Sequence, residues 1–139
     1  MTEPTKIDFR HGRARKISDV VDLVEILFPC NRNQQHAAAR ILLALKAVAG
    51  PMSSLSELER VHSISRRTLQ RTRAKLARLG LIERVTWMNS RYGGREGWKL
   101  SGRMSAGLRL LADRIEHWRR ETSPEHCRKE EVIVGLLDP

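Results

Sequence analysis

The stretch that decides the fold is SRRTLQRTRAKLARLGLI, which occupies residues 65–82 of the 139-residue chain. Leucines and one threonine recur in it at steps of three and four residues, the spacing of side chains that share one side of an α-helix. This apolar side is formed by Leu69, Thr72, Leu76 and Leu79. Ser65 is placed to cap the start of the helix, and Gly80 can end it in a left-handed conformation.

The opposite side of this predicted helix is basic. At about 100° per residue, it carries Arg67, Gln70, Arg71, Ala74 and Arg78, with Arg66, Arg73 and Lys75 on the flanks. A solvated helix face normally mixes acids with bases at a spacing of four residues. The predicted helix holds lysines and arginines but no acid, and their mutual repulsion is most simply explained by a polyanion that they bind. The small side chain of Ala74, in the middle of this side, leaves room for the helix to approach a groove of such a polyanion closely.

A short helix and a turn are predicted just before the basic helix. Residues 54–57, SLSE, fit a capping box that would open the short helix. The side chains expected to face inward from it are Leu55, Leu58 and Val61. His62 and Ser63 form the turn, and Ile64 follows as an apolar plug.

Two short strands are predicted after the basic helix. Residues 81–88 and 98–100 flank a turn region, residues 89–96, rich in types that tolerate tight backbone geometry. Trp87 and Trp98 are expected to pair across this hairpin or to cover the core. Arg91 and Arg95 lie near its tip.

This order of elements resembles the winged helix-turn-helix of DNA-binding regulators in the MarR-like superfamily. The resemblance covers residues 53–101, about a third of the chain, and its most specific match is Leu76, Gly80, Leu81 and Ile82 at the end of the basic helix. It implies a mainly α fold with a small β-hairpin wing and additional N- and C-terminal helices. It also implies that the basic helix enters a major groove of DNA.

The resemblance assigns roles to the basic residues. Arg67, Gln70 and Arg71 are expected to read bases, because arginine pairs with guanine and glutamine with adenine. The cations expected mainly to hold phosphates are Arg66, Arg73, Lys75 and Arg78. The wing arginines would grip the DNA on either side. The residues expected to bind DNA are Ser65, Arg66, Arg67, Gln70, Arg71, Arg73, Lys75, Arg78, Arg91 and Arg95.

Two helices and a basic arm are predicted on the N-terminal side. Residues 1–16 show no periodicity and are expected to form a flexible basic arm; an arm that tracks phosphates or enters a minor groove is the alternative. Residues 18–28 predict a helix capped by Ser18. Residues 34–49 predict another, capped by Asn31 or Asn33 and ended by Gly50 and Pro51. The winged domain would then span residues 17–101.

The C-terminal side predicts a dimerisation helix. Arg103–Arg120 places apolar residues at steps of 4, 3, 4 and 3, the seam of a coiled coil: Met104, Leu108, Leu111, Ile115 and Trp118. Terminal helices of MarR-type regulators often dimerise in this way, so residues 102–122 are expected to form a homodimer contact; the alternative is that the seam packs on the protein's own first helix. Residues 123–139 form an apolar tail that would cover a core edge or a partner subunit.

Positive charge is concentrated in one part of the chain. The formal net charge is +10 at pH 7, from 26 lysines and arginines against 16 acids. Residues 60–99 hold 11 of these bases and 2 of the acids, a net charge of +9, which leaves +1 for the remainder. A charge that served only solubility would be spread more evenly. The pattern favours a polyanion, nucleic acid or an anionic membrane surface, at this segment.

Motifs of other function classes are missing from the sequence. It has no phosphate-binding Gly-Lys loop, His-Glu-x-x-His or nucleophile elbow, so neither catalysis nor a cofactor is expected. Cys30 and Cys127 match no metal-ligand spacing, and His117 and His126 beside Cys127 are weak evidence for a metal. No apolar run approaches a membrane span and the N-terminus lacks a secretion signal, which predicts a cytoplasmic protein without a membrane partner.

These observations lead to three hypotheses. The first is a homodimer that binds double-stranded DNA sequence-specifically and regulates transcription. The second uses the same module for plasmid partition, replication or chromatin architecture, where binding is weakly selective and spread over many sites. The third is a winged-helix module for protein interaction, which would bind no nucleic acid even at low salt.

Overall fold

The computed structural model describes residues 6–86 and 96–138 and divides the chain into two compact units, Met1–Met104 and Ser105–Pro139. The described residues are mainly helical, with a small two-stranded antiparallel hairpin. The elements in chain order are α1 (His11–Arg15), α2 (Val20–Leu27), α3 (Arg32–Ala47), α4 (Glu57–Val61), α5 (Arg66–Leu79), β1 (Ile82–Val85), β2 (Gly97–Leu100), α6 (Arg103–Arg120) and α7 (Pro124–Gly135).

The core of the first unit lies around α3, which packs against α2, α5 and β2. Ala37, Ala38 and Ile41 are completely buried in it, and the two alanines let neighbouring helices approach closely. Leu76 of α5 and Ile82 of β1 complete this core. The predicted apolar side of α5 is therefore confirmed as core-facing.

Side-chain caps set the beginnings of α2, α3 and α5. The Ser65 Oγ accepts a hydrogen bond from the Thr68 amide at 3.1 Å, as predicted, and Asn31 caps α3 through the Gln34 amide at 3.1 Å. The prediction that Ser18 caps α2 is wrong. Asp19 occupies that position and accepts from the Asp22 amide, while the Ser18 hydroxyl donates to the Asp22 carboxylate. Each cap satisfies an amide that the first helical turn leaves unpaired.

The capping box predicted at residues 54–57 does not form. The Ser54 Oγ accepts from the Ser56 amide at 3.1 Å in a local turn, and α4 begins only at Glu57. Leu55 is buried as expected, but Val61 is 55% exposed rather than inward-facing. A five-residue helix is too short for its periodicity to fix the orientation of its last residue.

The hairpin is anchored by backbone contacts on two sides. Ile82 pairs with Leu100 and Val85 with Gly97, while the Met52 and Trp98 amides each donate to the other's carbonyl at 2.8 Å. A Cβ on Gly97 would collide with the Met52 carbonyl, so only glycine fits there. The predicted contact of Trp87 lies outside the described residues.

Gly80 links α5 to the hairpin and to the start of α6. Its φ of +86° is in the left-handed region, which confirms the predicted helix stop. The Met104 amide donates to the Gly80 carbonyl at 2.9 Å, and a Cβ on Gly80 would lie 2.9 Å from that amide nitrogen. Met104, predicted as part of the dimer seam, is accordingly half-buried against the core of the first unit.

Residues 6–16 are more structured than the sequence predicted. They contain the short helix α1, and Ile7 packs against the core. The Asp8 amide donates to the Ile26 carbonyl at 2.9 Å, while the Asp8 carboxylate pairs with Arg10 and Arg13. The Arg10 hydrogen bonds lower the pKa of Asp8 to about 2. These long-range contacts explain why local periodicity gave no sign of the helix.

The second unit contains most of α6 and all of α7. The bounds of α6 coincide with the prediction, and the unassigned apolar tail proves to be mostly helical, with Ser123 capping α7 through the His126 amide. The Trp118 indole N–H donates to the Glu130 carboxylate at 2.9 Å and so ties α7 to α6. Neither helix has a buried residue in the single chain.

Glu83 joins both strands to the start of α6. Its carboxylate lies 2.9 Å from the Lys99 ammonium and accepts from the Ser101 hydroxyl and the Arg103 Nε at 3.1 and 3.3 Å. The Lys99 hydrogen bond is the main cause of a lowered Glu83 pKa. Because the folded pKa is lowered, this contribution to stability is present above the ordinary pKa of 4.5 and is lost as the pH falls through the folded value.

We expect Glu83→Gln to lower the free energy of unfolding at pH 7 by about 0.5–1 kcal/mol, the range of partly exposed ion pairs. The difference from the parent should shrink as the pH falls below 4.5. Urea unfolding of the variant and the parent at pH 7 and below pH 4.5 measures this difference. Glu96→Gln is the control, since Glu96 lies 4.0 Å from Arg84 in a weaker pair. A difference that stays constant with pH would contradict this role for Glu83.

Candidate nucleic-acid interface

The outer side of α5 is exposed along its whole length. Leu69, Thr72 and Leu76 are buried on the inner side, so the helix is fixed in one rotation about its axis. The side chains predicted to point outward are all exposed: Arg67, Gln70, Arg71, Ala74 and Arg78. Arg66 is exposed at the N-terminal end, where the helix dipole adds positive potential.

The positive charge of α5 is not neutralised by acids. Within residues 6–86 and 96–138, no carboxylate lies within ion-pair distance of any lysine or arginine on α5. Elsewhere arginines do have such partners: Arg60 lies 2.7 Å from Glu57 and Arg119 lies 2.9 Å from Glu116. Among the described residues, the positive charge of this helix is therefore left uncompensated by acids, as a polyanion-binding surface requires.

Lys75 was predicted as a phosphate contact, but the structure turns its ammonium inward. The Nζ donates to the carbonyls of Lys6, at 2.8 Å, and Leu27, and it lies 4.4 Å from the centroid of the Phe28 ring. Burial lowers the Lys75 pKa. A cation at the C-terminal end of α2 is favoured by the helix dipole. Lys75 thus fastens α5 to α2 and to residue 6, and we remove it from the candidate interface.

We expect Lys75→Met to lower the free energy of unfolding by about 1–3 kcal/mol, since two carbonyls lose a charged donor. It should leave the salt dependence of DNA binding unchanged. Arg78→Met is the matched control, because Arg78 is an exposed cation three residues away. It should leave the free energy of unfolding unchanged and reduce the salt dependence of binding. Denaturant unfolding and a salt titration of binding measure the two effects. An unchanged unfolding midpoint with a reduced salt slope would show that the ammonium faces outward.

Trp98 connects the basic helix to the hairpin. The Arg73 guanidinium carbon lies 5.0 Å from the centroid of the Trp98 ring, and that of Arg84 lies 5.8 Å away. Arg73 is therefore held on the flank of α5 by a cation–π contact. No local pattern signals this contact, since 25 residues separate the two side chains.

The predicted wing residues Arg91 and Arg95 lie outside the described residues, as does Trp87. Their contribution to an interface stays a prediction. The described base of the hairpin adds Arg84, whose guanidinium is half exposed beside Glu96.

Other kinds of site receive no support from the described residues. Among residues 6–86 and 96–138, no group of three or more histidine, cysteine or acidic side chains is placed to hold a metal ion. Cys30 and Cys127 are free and exposed thiols, and His126 pairs with Glu130 at 3.2 Å. None of the helices in these ranges is both long and apolar enough to cross a membrane.

The chain was compared with models of protein families, with curated proteins and with solved structures, and none of the three comparisons found a match. Its function must accordingly be argued from its own residues.

Proposed function

We propose that this protein is a winged helix-turn-helix protein that binds double-stranded DNA sequence-specifically as a homodimer and regulates transcription. The observation that carries the proposal is the outer face of α5, which is exposed, basic and without a carboxylate partner among the described residues. The helix is capped at Ser65, stopped at Gly80 and buried along its inner side, so this face is presented on a rigid support.

The order and contacts of the elements support the winged-helix part of the proposal. A short helix, a turn at residues 62–64, the basic helix and a hairpin follow one another directly. The segment before α4 pairs with Trp98 on the hairpin, and Arg73 of α5 stacks on the same tryptophan. The basic helix and the hairpin are therefore held together through Trp98, and both can reach DNA from this shared support.

Roles on α5 follow from direction and position. Arg67, Gln70 and Arg71 lie on the outer face near the N-terminal end and read base edges in a major groove. Arg66 and Arg78 hold phosphates on either side of the reading residues, and Arg73 supports the flank. The small side chain of Ala74 at the centre of this face lets the helix approach the base pairs of the major groove closely.

The homodimer rests on the exposed seam of α6. Leu108, Leu111, Ile115 and Trp118 are between 39% and 59% exposed in the single chain, and further apolar side chains are exposed at the end of α7 and just after it. Charge favours pairing between copies: α6 carries five arginines against two acids, whereas residues 124–138 carry four acids against two bases. A second copy would cover these apolar side chains and place opposite charges together.

The proposal is tested by selecting duplexes from a random pool at about 0.1 M salt and then titrating the enriched and random sequences. An enriched sequence bound much more tightly than random DNA supports a regulator. Nearly equal affinity for all duplexes would contradict sequence-specific regulation and favour a partition or architectural role. No binding to any duplex at low salt would overturn DNA binding and favour protein interaction.

A further inference from the structure

Three nitrogen-bearing side chains meet beside the turn that precedes α5. His36 and Arg40 come from α3, and His62 lies in the turn itself. The Arg40 Nε donates to the His36 Nε2 at 3.3 Å, and the His36 and His62 rings lie edge to face with centroids 6.4 Å apart. Two separate elements therefore bring these groups to one place on the surface of the first unit.

No acid neutralises this cluster. Within the described part of the chain, no carboxylate lies within ion-pair distance of Arg40, His36 or His62. Arg60, two residues before His62, does have such a partner in Glu57. Burial lowers the pKa of His62, and the neighbouring Arg40 and His36 lower it further. The cluster thus repels protons in the free protein, and a bound anion would reverse that repulsion.

The hydrogen-bonding groups in the cluster are suited to an oxyanion. Toward the described residues Arg40 uses only its Nε, so both terminal nitrogens of its guanidinium are available to donate to a ligand. Because the His36 Nε2 accepts from Arg40, its ring proton lies on Nδ1 and is available as a further donor. His36 is exposed and His62 is half-buried, so a ligand can reach the cluster from solvent.

We propose that His36, Arg40 and His62 form a phosphate-binding site that holds a backbone phosphate of bound DNA next to the N-terminal end of α5. This inference rests on the proposed function. The location favours DNA over a free anion, because His62 lies three residues before the Ser65 cap, at the end of α5 assigned to the groove. Because His36 is exposed and Arg40 and His62 are only half-buried, the site suits a phosphate delivered by a bound duplex better than a small ion from solution.

The site makes DNA binding depend on pH. A phosphate beside His62 favours the charged ring, so the His62 pKa rises on binding and a proton is taken up. Affinity should therefore increase as the pH falls from 8 to 6. His62→Gln should remove most of that increase between pH 8 and pH 6.

Arg40→Gln tests the site directly, with Arg60→Gln as the matched control, because Arg60 is an exposed arginine nearby that already has a carboxylate partner. We expect Arg40→Gln to weaken binding to the preferred and random duplexes alike by roughly tenfold, and to reduce the salt slope by about one. Arg60→Gln should change neither. Thermal unfolding by circular dichroism confirms that both variants are folded.

Imidazole resonances of the parent protein provide a second measurement that requires no variant. The His36 and His62 signals should shift when duplex DNA is added. Signals that respond to inorganic phosphate and not to duplex would overturn the assignment to DNA, and signals that respond to neither would overturn the site. If Arg40→Gln keeps full affinity and salt slope while Arg71→Ala loses specificity, this site is wrong and the proposed function stands. If the parent protein binds no duplex at low salt, both this site and the proposed function are wrong.

Discussion

Arg71→Ala is expected to weaken binding to the preferred duplex by about 5- to 150-fold more than binding to random DNA. This range corresponds to the roughly 1–3 kcal/mol of discrimination that a bidentate base contact supplies. Arg71 is exposed on the outer face of α5, toward its N-terminal end, and has no carboxylate partner among the described residues. Its guanidinium is therefore free to meet a base edge, and little folding energy depends on it.

The measurement is a salt titration of binding to the preferred and random duplexes. Arg78→Ala is the control, because Arg78 is also exposed but lies in the last turn of α5, where we propose that the helix leaves the groove. It should weaken both duplexes alike and reduce the salt slope by about one. If Arg71→Ala also weakens both equally, then Arg71 contacts phosphate and the reading face is misplaced.

Leu111→Asp with Ile115→Asp is expected to convert the dimer into monomers or unfolded chain. Both side chains are about half exposed in the single chain and lie in the middle of the seam of α6. Burying an aliphatic side chain of this size contributes roughly 1.5–3 kcal/mol, and each symmetric dimer would contain two copies of both. The two aspartates of each copy would also bury negative charges without positive partners, next to those of the other copy.

Sedimentation velocity at micromolar concentration measures this effect. Leu110→Asp is the matched control: it makes the same kind of change on the same helix at an exposed leucine outside the seam, and the dimer should persist. Circular dichroism separates dissociation from unfolding. A parent protein that sediments as a monomer would rule out the homodimer.

The bounds and the inner side of α5 were predicted well because the signals that define them are local. Ser65 and Gly80 define the ends of α5 through a cap and a left-handed stop, and the leucine spacing defines its inner side. The outward direction of Arg67 and Arg71 follows from the same spacing. Element type and facing direction can thus be predicted wherever one helix supplies all the evidence.

Contacts between distant segments could not be predicted in this way. Lys75 lies on a flank of α5, and whether its ammonium faces DNA or protein depends on the Leu27 carbonyl, 48 residues earlier. The same holds for Arg73 on Trp98 and for the histidine–arginine cluster, whose members come from two elements. A flank position is decided by what packs beside it, which periodicity does not encode.

The paired amides of Met52 and Trp98 close a long loop of the chain that contains α4, α5 and β1. Closing a loop costs chain entropy that grows slowly with its length, so these two hydrogen bonds form only when the contacts inside the loop also form. Amide hydrogen exchange at Met52 and Trp98 therefore reports how α5 opens. Protection equal to that of Ile41 in α3 would mean that α5 is released only when the whole first unit unfolds. Weaker protection would mean that the segment from α4 to β1 opens as a cooperative unit of its own.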